Sequence, residues 1–167
     1  MTRKKKKLLI IFTTICFPFL IISSPDWFKI NGIMPCWPVV FLLPFSLRSS
    51  PWRSSSAAIL FGILIDSFTV SEASYIPSLF FLSLVWSRYE LNNKKVELIL
   101  YVGLMAIFGT AVVGISIWAQ KIILYNILRN NWFHSWSIYV LISEVIITGL
   151  VAPFFSSWLF LLIESTE

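Results

Sequence analysis

Polar and apolar residues do not alternate along this chain; they come in blocks. Apolar runs fill approximately residues 8–23, 33–47, 54–70, 75–89, 97–119 and 137–163, and the stretches between them are short and polar, such as SSPDW, RSSPWR, SEAS and ELNNKKVE. About 20 apolar residues cross the hydrocarbon core of a bilayer as a helix, so the pattern predicts six transmembrane helices. The run at 33–47 is short and carries Pro35, Pro38 and Pro44. It predicts an irregular or kinked span, whose freed backbone groups other helices must cover. The run at 8–23 follows the basic stretch TRKKKK directly and could be the apolar part of a secretory signal. No A-x-A site follows it and Pro25 stands where cleavage would fall, which favours a retained first helix, bent at Pro18. Between the fifth and last runs, QKIILYNILRNNWFHSW sets Trp132 and Trp136 among polar residues and predicts an interfacial turn or a short in-plane helix.

Composition supports one membrane domain over residues 1–167. The 167 residues are 57% hydrophobic and 13% charged, with a mean hydropathy of +0.83. That is more apolar surface than a soluble domain of this length buries. The formal charge of +5 gives orientation and does not call for nucleic acid. With six spans, ten of the thirteen basic residues fall on one side: Arg3, Lys4, Lys5, Lys6, Lys7, Arg48, Arg53, Arg88, Lys94 and Lys95. Lys29, Lys121 and Arg129 fall on the other. The positive-inside rule then puts both termini in the cytoplasm.

Little in the sequence suggests a reaction centre. Cys16 and Cys36 lie in apolar runs without a C-x-x-C or Cys/His spacing, and the single histidine, His134, is in the interfacial segment. No phosphate-binding glycine loop or H-E-x-x-H is present, so neither a cofactor nor a metal is expected, and no catalytic residue is assigned.

Two acids do interrupt the apolar runs. Asp66, in FGILIDSFT, lies four residues beyond Gly62, eight beyond Ala58 and twelve beyond Ser54. On a helix these positions form one slowly winding face. Small residues admit a close neighbour, so the face is a packing seam ending in a carboxyl, for a helix of the same chain or of a partner. Ala106, Thr110 and Gly114 make a weaker second seam. The other acid is Glu144, in LISEVII. The six-span topology sets Asp66 and Glu144 at similar depth in the outer leaflet. They either line one polar pocket, which tolerates one negative charge better than two, or bond separately to backbone and to hydroxyls such as Ser67, Thr69, Ser143 or Thr148. Paired intramembrane carboxyls also occur in aspartyl proteases, but the Y-D and G-x-G-D motifs of those enzymes are absent. An enzyme is not expected.

The stretch FLLPFSLRSSPWRSSSAAILFGILIDSF resembles the signature region of the rod-shape-determining MreD family, in which a proline-containing second span, a short basic loop and a G-x-x-x-D third span follow one another. The tail ITGLVAPFFSSWLFLL is similar to the family's last helix, and the length, basic N-terminus and six-span plan agree along the whole chain. Where family members carry glycines after the aspartate, this chain has TVSEASYIP. The resemblance implies a non-enzymatic scaffold of the cell-wall elongation machinery in the bacterial cytoplasmic membrane, in contact with lipid and with MreC, MreB, RodA and a class B penicillin-binding transpeptidase. An alternative of another class is the substrate-binding subunit of an energy-coupling-factor vitamin transporter, also a small six-helix membrane protein, in which Asp66 and Glu144 would line a vitamin pocket.

Overall fold

The computed structural model describes residues 29, 32–69, 73–89, 99–128 and 136–164, and these form five helices with no β-strand among them. They are α1 (Trp37–Arg48), α2 (Pro51–Phe68), α3 (Ile76–Arg88), α4 (Ile99–Leu128) and α5 (Trp136–Glu164). The expected first helix at 8–23 lies outside the described residues.

Prolines fix where the first three helices begin. Pro38, Pro51 and Pro77 each occupy the opening positions of a helix, where φ is already suitable and the missing N–H would have no partner within the helix. Pro44 is inside α1. The expected irregular backbone is therefore confined to residues 33–36, ahead of a 12-residue helix.

α1 is the core of the bundle. It touches each of the other four helices, and of Trp37–Leu47 only Phe45 is exposed. A helix apolar on every side needs cover on every side, and α2, α3, α4 and α5 supply it in chain order. Against α5, the Trp37 and Phe155 rings meet edge to face with centroids 5.3 Å apart. At 12 and 13 residues, α1 and α3 rise only about 18–20 Å, short of the roughly 30 Å hydrocarbon core. α4 and α5 contain the segments Tyr101–Leu124 and Ile138–Trp158, each long and apolar enough to cross a membrane.

Neighbouring helices pack antiparallel through small residues. A Cβ on Gly62 of α2 would lie 2.9 Å from the Ile76 Cα of α3, and one on Gly103 of α4 would lie 3.2 Å from the Gly149 carbonyl oxygen of α5. Of the segment 120–136, expected as an interfacial turn or a short in-plane helix, residues through Leu128 continue α4 without a break, and residues 129–135 lie outside those described. The segment ISIWAQKIILYNIL holds no glycine or proline to end a helix.

Candidate functional site

One set of polar groups meets at the end of the bundle where α2 finishes and α3 starts. Asp66 is in the last turn of α2, and both its carboxylate oxygens are engaged. Oδ2 accepts from the Ser74 hydroxyl at 2.6 Å, and Oδ1 accepts from the Tyr75 N–H at 2.9 Å. The first N–H groups of a helix have no partner within it. The Asp66 carboxylate meets the chain where it enters α3, close to the positive end of that helix's dipole. Ser74 Oγ also accepts from the Ile76 N–H at 3.2 Å.

Gln120 of α4 holds the same turn from the other side. The Ser74 N–H donates to Gln120 Oε1 at 2.9 Å, and Gln120 Nε2 donates back to the Ser74 carbonyl at 2.9 Å. Nε2 also lies 3.3 Å from Ser116 Oγ. Every polar group of Ser74 is thus bonded, to partners on α2, α3 and α4.

A second polar node joins α1 to α5. The Cys36 N–H, just ahead of α1, donates to Thr148 Oγ1 at 2.8 Å. The Thr148 hydroxyl in turn donates to the Glu144 carbonyl at 2.6 Å. The Cys36 thiol is within hydrogen-bonding reach of the Glu144 carboxyl. Asp66 bonds to Ser74 and Tyr75 whereas the Glu144 carboxyl faces Cys36, so the two acids take different partners.

The seam faces inward. Ser54 and Ala58 are fully buried and Gly62 lies on the backbone of α3. The Ser54 hydroxyl donates to Ser46 Oγ of α1 at 2.7 Å and approaches the Ser83 carbonyl of α3 at 3.4 Å. Three helices therefore meet on one serine. Of the second seam, Ala106 and Thr110 are buried, the Thr110 hydroxyl returns to the Ala106 carbonyl at 2.9 Å, and Gly114 faces Leu141 of α5. Among the described residues, Trp86 Nε1 and Ser156 Oγ are buried without a hydrogen-bond partner.

The hydroxyls suggested by sequence as partners of the acids are used otherwise. Ser67 and Thr69 bond to the carbonyls of Ile63 and Ile65 within α2, and Thr148 meets the backbone of Glu144. Ser74, Tyr75 and Gln120 went unnoticed in the sequence. Gln120 left one trace there, as the chain's single glutamine, closing the apolar stretch ISIWA. Among the described residues, no three His, Cys, Asp or Glu side chains gather as a metal site would require. Chemically, the arrangement ties the turn at Ser74 to α2, α3 and α4, and the start of α1 to α5, largely through side chains that satisfy backbone groups. No family model matches the chain, and neither a curated protein nor a solved structure matches it.

Proposed function

We propose that this chain is a multi-pass protein of the bacterial cytoplasmic membrane, with six spans and both termini in the cytoplasm, and that it acts as a non-enzymatic scaffold of the cell-wall elongation machinery. The observation that carries the reading is the outer face of α5. Ile138, Ile142, Ile146, Leu150, Phe154 and Trp158 recur every fourth residue and all are exposed. Such a ridge suits lipid or the helix of another membrane protein. The small-residue seam of α2 is occupied by the chain's own helices, which leaves partner contacts to outer faces of this kind.

The partners follow from the MreD resemblance: MreC first, with MreB, RodA and a class B penicillin-binding transpeptidase in the same assembly. Arg48, Arg53 and Arg88 stand at the helix ends that the six-span topology turns to the cytoplasm. The test is depletion in a rod-shaped host, combined with cross-linking and pull-down from its native membrane. Widened or rounded cells and recovery of an MreC-like partner are expected. One other reading is a vitamin-binding transporter subunit, in which Asp66 and Glu144, both partly buried, would line the pocket. Normal cell shape with a vitamin-uptake defect, and a vitamin detected by mass spectrometry in the purified protein, would establish that reading instead.

A further inference from the structure

Arg48 is in the last turn of α1, Arg53 near the start of α2 and Arg88 in the last turn of α3, and all three are exposed. The bonds from Ser54 to Ser46 and toward Ser83 fix these three helix ends to one another. No arginine is more than five residues along its helix from that junction, a rise of about 7.5 Å at most. Two of them suit their helices, because a cation at a C-terminus complements the dipole. Arg53 does not: it adds positive charge to the positive end of α2, whose first turn contains no acid. Helix electrostatics disfavours it there, and an anion close by reverses the sign of that effect. Trp52, 84% exposed, and Tyr89, 56% exposed, flank the group. Aromatics of this amphipathic kind settle at the headgroup level. The adjoining outer faces of α2 and α3 are apolar, with Leu60, Ile63, Phe80 and Phe81 exposed.

We infer that Arg48, Arg53 and Arg88 form a docking site for the phosphodiester headgroup of an anionic phospholipid, whose acyl chains run along α2 and α3. The aromatic flank and the apolar faces select a lipid over a soluble phosphate. The site rests on the membrane reading above and is independent of the scaffold role.

The test uses full-length protein in nanodiscs of phosphatidylcholine doped with cardiolipin, counting the cardiolipin that co-purifies by native mass spectrometry. Retention should fall roughly fivefold for each arginine removed in Arg53→Gln and Arg88→Gln. Arg53→Lys should also lose retention, because lysine keeps the charge but not the planar fork that grips a phosphate. Lys4→Gln with Lys5→Gln in the basic tail should leave it unchanged. Equal loss from the tail variant, with Arg53→Lys behaving as wild type, would mean diffuse attraction and overturn the site. So would unchanged retention in the Arg53→Gln, Arg88→Gln double variant, or displacement of the lipid by millimolar inorganic phosphate. A protein that fails to enter nanodiscs would bring down the membrane reading together with the site, whereas a normal cell shape on depletion would affect the scaffold role alone.

Discussion

Gln120 and Ser74, 46 residues apart, are joined by a reciprocal pair of hydrogen bonds, each 2.9 Å long, in which the glutamine amide closes on the serine's backbone N–H and C=O. A side chain here does what a neighbouring strand would do for an extended residue. It satisfies both main-chain groups of a turn and fixes α4 against the start of α3.

Replacing Gln120 by Met keeps the length of the side chain and removes both bonds. Ser74 is only half-buried, so water replaces part of the loss, and the expected cost is on the order of 1–2 kcal/mol. Amide hydrogen exchange at Ser74 and Tyr75 should quicken roughly 5–30-fold, the population ratio that such an energy implies. The buried amides of α1 should not change. Unaltered exchange at Ser74 would show that the turn holds without its clamp.

Asp66 grips the same turn from α2, and two substitutions of its carboxyl should differ. In Asp66→Asn the amide oxygen can still accept from the Tyr75 N–H, and the amide nitrogen can point at Ser74 Oγ. That hydroxyl must then find another acceptor for its proton. Asp66→Leu leaves the Ser74 hydroxyl and the Tyr75 N–H without the acceptors they now have. Thermal unfolding in detergent should show Asn lower than wild type by about 1 kcal/mol and Leu by about 2–3 kcal/mol, with both variants still accumulating in the membrane. The opposite order, with Leu the more stable, would mean that the bonds to Ser74 and Tyr75 do not offset the cost of burying a polar group there.

Asp66 was visible in the sequence for a simple reason, that a charge within an apolar run is conspicuous. Its partners were not, because hydrophobic period tells which residues share a face but not which faces meet. The spacing of Ser54, Ala58 and Gly62 showed a seam, and only the structure shows that α1 and α3 fill it. Similarly, the apolar blocks located α2, α3 and α5 to within a few residues. The prolines of the 33–47 run called for cover by other helices, but not for the central place, since an apolar run surrounded by protein reads the same as one facing lipid. Gln120 and Lys121 look like a change of element after the apolar run, but both are good helix formers in a stretch without a breaker, and α4 continues through them.

Two glycines at helix crossings should respond differently to alanine. A Cβ on Gly62 would come 2.8 Å from Ile76 Cγ1, 2.9 Å from its Cα and 3.2 Å from its N. The backbone of α3 would have to move, and with it the Tyr75 N–H that Asp66 holds. On Gly149 the atoms in the way are Cγ1 and Cδ1 of Ile107, a β-branched side chain that must leave its preferred rotamer but, being 38% exposed, requires no shift of a helix backbone. Gly62→Ala should therefore cost about 1–3 kcal/mol, and Gly149→Ala less, because the better helix propensity of alanine offsets part of the rotamer strain. Unfolding midpoints of the two variants, compared in one detergent, decide the matter.

The ridge on α5 separates a lipid-facing helix from one that binds a partner. Leu150 and Phe154 are 62% and 77% exposed, so truncating them removes little packing from the chain itself. Leu150→Ala with Phe154→Ala should leave the unfolding midpoint nearly unchanged, since surface substitutions away from special features stay within about 0.5 kcal/mol. A ridge that faces only lipid would show nothing further, because lipid fills whatever shape it meets. A ridge seated against another helix loses packed area that lipid does not restore. In that case the double variant should reach normal levels in the membrane yet recover several-fold less of the MreC-like partner on pull-down. Full recovery of the partner would remove α5 as the contact and shift attention to the exposed faces of α2 and α4, where Leu60, Ile63, Leu104 and Phe108 stand in comparable positions.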